Sequence, residues 1–409
     1  MSPLGDYIQL TRYHARFLLF GFLMAFVSSA GQTYFIGIFG PEIRASFELT
    51  HTEWGTIYLI GTLCSALLLP WSGQIIDRVD LRWFSVFVLA GLVAACLTVS
   101  FAESIVALTI AIFLLRQFGQ GLVSHASITS MARYMNRNRG KSIAIASMGY
   151  STGEAVLPLM AVLAVMAIGW RASYQLTAFV VALAIPLMFW TLRGHHHRHT
   201  SFLAEENSAN NADQARESKT QVQMLLEPRF YLLLPAVMAP AIIGTALFFH
   251  HLTLAEFKQW SPVWVTGSYW IYALTTVITG VVVGPVIDRY SATRVLPWYL
   301  VPLIAALLLL IPATHSFWII PYMILLGINT GIYFTGLAAL WAEIYGPKFL
   351  GGIKSVVGAI NVFGSALGPV SIGLVLDAGY TFNTVCILFA IFSLVSTVML
   401  VIGLRRYTN

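Results

Sequence analysis

Runs of about twenty apolar residues recur along the whole chain, and they decide its fold class. A helix rises about 1.5 Å per residue, so a run of that length crosses a hydrocarbon core of about 30 Å. No water reaches the backbone there, so each run must satisfy its own N–H and C=O groups as a helix. Composition agrees: of 409 residues, 58% are hydrophobic and 10% charged, where an ordinary soluble domain has about 25% charged. The chain is therefore expected to be an all-α polytopic membrane protein. The runs predict twelve spans, at 15–40, 54–75, 83–102, 105–131, 142–166, 172–192, 229–251, 263–287, 295–313, 316–340, 352–376 and 381–404. The first is too long for a signal-peptide core and lacks a convincing cleavage site, so it counts as a span.

Residues 194–228 interrupt the pattern. Their middle, SFLAEENSANNADQARESKTQ, is polar, mixed in charge and without apolar period. A flexible cytoplasmic linker is expected there. It separates an N-terminal six-helix bundle, 1–193, from a C-terminal one, 229–409. Lys and Arg set the orientation. With both termini inside, the inner segments hold Arg78, Arg82, Arg133, Arg137, Arg139, Lys141, Arg289, Arg294 and more. The outer segments hold only Arg44, Arg171 and Lys258. The net charge of +6 thus reflects topology and not a nucleic-acid surface. Cys64, Cys96 and Cys386 are scattered on apolar runs without metal spacing and are expected to be buried small hydrophobes.

The two halves repeat. GQIIDR at Gly73–Arg78 returns as GPVIDR at Gly284–Arg289, Lys141-Ser142 as Lys354-Ser355, and Gly149…Gly153 as Gly364…Gly368. Three landmarks in one order at nearly one offset indicate parallel six-helix repeats, a transporter architecture.

These residues carry a resemblance to the major facilitator superfamily. Gly73, Asp77, Arg78 and Arg82 fit its loop pattern G-x-x-x-D-R-x-G-R-R, with Asp80 in place of the second glycine, and Gly284, Asp288, Arg289 and Arg294 form the second copy. Within the superfamily, RYMNRNRGKSIAIASMGYSTGEAVLPL, the Gly169-Trp170-Arg171 triplet and the Ala342–Gly379 segment resemble the monocarboxylate and oxalate–formate transporter branch. The resemblance implies alternating access, with Asp77, Arg78, Asp288 and Arg289 as gating latches at the inner helix ends. It also implies a central cavity that spans 1 and 4 help to line. That branch commonly places a basic residue on span 8, and span 8 here has none.

Two charges stand at membrane depth. Arg116 lies about 16 Å into span 4 from one side and Glu154 about 18 Å into span 5 from the other. A charge at the bilayer centre costs about 2.5–3.5 kcal/mol on insertion scales, so such residues are usually functional. The expectation is an Arg116–Glu154 ion pair, with Arg116 meeting an anionic solute and Glu154 carrying a coupling proton. Gln120 follows Arg116 by one turn and shares its face, whereas His125 is placed about half a turn away from that face. Gln32, Tyr34, Gln120 and Ser124 complete a polar lining in the first half. Tyr269, Tyr272, Asn329, Tyr333 and Asn361 give the second half a neutral, aromatic surface suited to an amphipathic solute.

Other groups mark limits. Adjacent His250 and His251 point about 100° apart on a helix, so they do not readily chelate one ion. His195, His196, His197 and His199 fit metal binding or lipid headgroups equally. Met131 and Met135 have a soft-metal spacing at a helix end. Gly140-Lys141-Ser142 is not a P-loop, because Met135 stands where the first glycine is required. The leading expectation is therefore a proton-coupled secondary transporter of a small organic solute, first a carboxylate, without cofactor or resident metal. It would be a monomer in the bacterial inner (plasma) membrane, in contact with lipid. A copper importer is the alternative within transport, and a permease-derived sensor the alternative outside it. No nucleophile–base constellation at membrane depth indicates an enzyme.

Overall fold

The structure, a computed structural model, describes residues 3–135, 138–193, 219–346 and 349–405, without the side chains of 3–9 and 77. Among the described residues every regular element is helical. Eleven helices are long and apolar enough to cross a membrane. One of them, Arg139–Thr191, has 53 residues, or roughly 80 Å of helix. It breaks at Gly169, whose φ of 75° and ψ of 165° are open to glycine and strained for other residues. Divided there, the chain has the twelve expected spans. We number them α1 (Pro3–Val27), α2 (His51–Ser72), α3 (Leu81–Ser100), α4 (Ile105–Tyr134), α5 (139–168), α6 (170–191), α7 (Pro228–Phe249), α8 (Pro262–Tyr290), α9 (Ala292–Leu310), α10 (Ser316–Tyr345), α11 (Leu350–Asp377) and α12 (Phe382–Leu404).

Local chemistry explains the ends. Asp80, the departure from the loop pattern, caps α3: its carboxylate accepts from the Arg82 N–H at 2.8 Å and pairs with the Arg82 guanidinium at 3.0 Å. Ser104 caps α4 through the Ala107 N–H. Proline opens α7 and α8, where its missing N–H costs nothing. Large apolar side chains such as Met166, Val281 and Leu394 stand exposed, as a surface facing hydrocarbon requires. Cys96 and Cys386 are buried as expected, but Cys64 is exposed on α2.

The first span departs most from expectation. Instead of one helix over 15–40, α1 ends at Val27, tightens into a 3-10 turn over Ser28–Gly31, and runs extended through Gln32 (ψ 152°). Short helices Thr33–Ile36 and Gly40–Phe47 follow.

Contacts gather the chain into two compact units, Met1–Ile36 with Ile60–Asp213 and Gly37–Leu59 with Gln214–Asn409. In unit 1, α5 packs along α1 and α6 along α3. A Cβ on Gly149 would land on the Phe22 carbonyl, and one on Gly153 on the Ser29 hydroxyl. Beyond Gly169, Arg171 donates to the carbonyls of Ser100 and Ala102 at 3.0 and 2.9 Å, closing the end of α3. The Gly169-Trp170-Arg171 triplet is thus a turn plus a helix cap. In unit 2, α7 packs on α11 and α8 on α10. Gly368 meets the Ile242 carbonyl, repeating the α1–α5 contact in the other half. Residues 194–218 of the expected linker, with the His195–His199 cluster, lie outside the described residues.

Candidate functional site

In unit 1 the break of α1 faces an irregular stretch of α4. Leu115–Val123 winds as a π-helix, a rare form frequently found at functional sites. The two backbones nearly touch: a Cβ on Gly31 would lie 2.2 Å from the Leu115 carbonyl oxygen and 2.7 Å from the Gly119 Cα. A broken helix leaves carbonyls without intrahelical donors. Arg116, 2% exposed, answers one of them, donating Nη1 to the Gly31 carbonyl at 3.0 Å and to the Thr33 hydroxyl at 3.5 Å.

Glu154 is 7% exposed and makes no hydrogen bond or ion pair among the described residues. The expected Arg116–Glu154 ion pair is therefore not formed in this conformation. The guanidinium is engaged by the helix break, while Glu154 sits one residue beyond the Gly153–Ser29 contact on α5. Arg116 and the turn of α5 that carries Glu154 still flank the same break. Tyr34, 2% exposed, donates to the Ser29 hydroxyl at 2.8 Å and meets Tyr150 edge-on at 5.6 Å. Gln32 is buried at the break itself.

The π-winding alters the expected face of α4. Gln120 and Ser124 are half-buried, and the buried partner of Arg116 in the chain is Gln117. Gln117 accepts from Ser65 at 3.0 Å and donates to Ser72 at 2.8 Å, tying α4 to α2. An α-helical period could not single it out from Gln120. His125 lies near Thr129 and the end of α2 at Gly73.

Unit 2 holds an aromatic cluster. His251 is fully buried, with Nδ1 2.7 Å from the Tyr269 hydroxyl and Nε2 2.8 Å from the Tyr322 hydroxyl. A neutral imidazole has one donor and one acceptor, so one tyrosine donates while the other accepts. Tyr272 donates to Thr330 at 3.2 Å. Tyr333 stacks on Tyr299 at 6.2 Å, and Asn329 donates to the Tyr299 carbonyl at 2.7 Å. Tyr299 in turn donates to the Ala236 carbonyl. The Asn361 Oδ1 is buried without a hydrogen-bond partner. His251, Tyr299 and Tyr322 were not among the expected lining residues; their signal was a polar group inside an apolar run. His250 turns away from His251, its Nε2 3.0 Å from the Pro369 carbonyl. Among the described residues no group of three or more His, Cys, Asp or Glu could hold a metal ion.

Asp288 and Arg289 are exposed, and Asp288 makes no hydrogen bond or ion pair among the described residues. The carboxylate that binds this loop is Glu343 of α10, which accepts from the Ala292 N–H at 2.8 Å and the Thr293 N–H at 3.3 Å. Arg78 is exposed; the Asp77 side chain lies outside the described residues.

Comparison with known proteins gives a consistent picture. The sequence profile of the Major Facilitator Superfamily matches residues 21–273 and 264–408. Monocarboxylate transporter 6 of Homo sapiens is 29% identical over 147 residues, covering 34% of this chain and 28% of that protein's length. Among solved structures, the nucleoside transporter NupG superposes with a TM-score of 0.71 at 14% identity, over 95% of this chain and 99% of that one. A bacterial homolog to human lysosomal transporter Spinster superposes with a TM-score of 0.68 at 15% identity, over 97% and 96%. At such identities these structures speak for the fold alone.

Proposed function

We propose that this chain, which belongs to the major facilitator superfamily, moves a small organic solute, a carboxylate or other organic anion first, by proton-coupled alternating access. The observation that carries the reading is the buried Arg116 at the broken α1 with the unpaired Glu154 beside the same break. A carboxylate in a desolvated site is costly in its charged form unless paired. Exchange of a proton and of Arg116 as partner gives Glu154 two states that a transport cycle can use. An anionic solute competes with the Gly31 carbonyl for the guanidinium, which supplies several donors. The stretch similar to Monocarboxylate transporter 6 supports the carboxylate class. The chain, with bundles 1–193 and 229–409, would act as a monomer in a bacterial inner membrane with both termini inside.

Uptake into proteoliposomes with and without an inward proton gradient tests this. A panel of organic acids should include one that accumulates in a gradient-dependent way. Glu154→Gln should abolish accumulation and leave exchange of preloaded solute. Full accumulation by Glu154→Gln with unchanged pH dependence would exclude Glu154 as the proton carrier.

A further inference from the structure

The segment 37–59 carries the distal ends of the first two spans, and by the sequence repeat it belongs to the first half. The fold nevertheless places it in unit 2. We propose that Asp377, the last residue of α11, is the gating residue that fastens this segment to unit 2 and releases it during the cycle. The proposal rests on the alternating-access reading above.

The fastening is a helix cap supplied from 326 residues away. Asp377 accepts from the His51 N–H with Oδ1 at 3.1 Å and from the Thr52 N–H with Oδ2 at 2.6 Å. A carboxylate on the free N–H groups of a helix N-terminus gains both charge-assisted hydrogen bonds and the helix dipole. Helix α2 does not need Asp377 to be capped. Thr50 and Glu53 form a reciprocal box of their own: Glu53 Oε2 accepts from the Thr50 N–H at 2.8 Å, and Thr50 Oγ1 accepts from the Glu53 N–H at 3.1 Å. The two N–H groups left over are those that Asp377 takes. The Thr50 and Thr52 hydroxyls also face the carboxylate, and release frees these groups while the Thr50–Glu53 box keeps the helix start intact. Asp377 is exposed, so water replaces the lost partners.

The surface around the cap is built for parting. Glycines let backbones meet without interlocking side chains. A Cβ on Gly373 would lie 2.7 Å from the His51 carbonyl, and one on Gly55 would lie 2.8 Å from the Val370 nitrogen. One on Gly37 would lie 2.8 Å from the Phe248 and Phe249 carbonyls. Flat rings cover the rest, with Trp54 stacked on Phe249 at 5.3 Å.

The test uses the full chain in nanodiscs, with Cys64→Ser and spin labels on Ser46→Cys and Tyr380→Cys, both exposed and both in unit 2. The parent should give one short distance population. Asp377→Ala should raise the ratio of a longer population at least tenfold, and Asp377→Asn, which keeps an acceptor oxygen, by less. Glu53→Ala opens the local box without removing a partner of Asp377 and should lower the melting temperature without changing the distances. An unchanged distribution in both Asp377 variants, or the same shift in Glu53→Ala, would overturn the proposal. The distances are read without solute, so a failure of the transport reading appears separately, as absent uptake by the parent.

Discussion

His251 is held by two tyrosine hydroxyls inside an apolar cluster, and removing either leaves a buried ring nitrogen without its partner. Tyr322→Phe should therefore cost about 1–3 kcal/mol, seen as a lower melting temperature in detergent. Combining it with His251→Phe should cost less than the sum of the two single changes, because the second removes the group the first orphans. Side chains of this kind announce themselves in sequence as polar letters in apolar runs, and Arg116 and Glu154 did so too. Their partners did not. The acceptor for Arg116 is a backbone carbonyl, and which carbonyl a helix break sets free has no letter of its own.

Among elements, the paired glycines of α5 and α11 were readable as repeats, and the reason is close approach. Gly149 lies against the Phe22 carbonyl and Gly368 against that of Ile242. Gly149→Ala should push α5 off α1 at a cost of about 1–3 kcal/mol, measured by thermal unfolding. Gly284→Ala, where a Cβ meets nothing within 4 Å, should change stability little. The break of α1 was not readable, because Ser28-Ser29-Ala30-Gly31 are small residues that continue an apolar run without strain. It exists because Gly31 and Gly119 permit two backbones to meet, a tertiary cause. The π-winding of 115–123 was hidden likewise, since changing the winding leaves composition untouched.

For the whole molecule, span number followed from apolar length, while the grouping of 37–59 with the second half did not, because contact across the repeat leaves no period. The basic residues predict sidedness, which a membrane-impermeant thiol reagent can check in a Cys64→Ser background. It should label Tyr380→Cys from outside in intact cells and Tyr290→Cys only after permeabilisation. Gly169 has one more consequence at this scale. A single residue separates α5 from α6, as Ser291 alone separates α8 from α9, so axial displacement of α5 has little slack to absorb it. Arg171 then ties the start of α6 to the end of α3 through two carbonyls. The helix that bears Glu154 is thus the arm of a lever whose far end is α3, and a shift at the acid is delivered there as a turn of the corner.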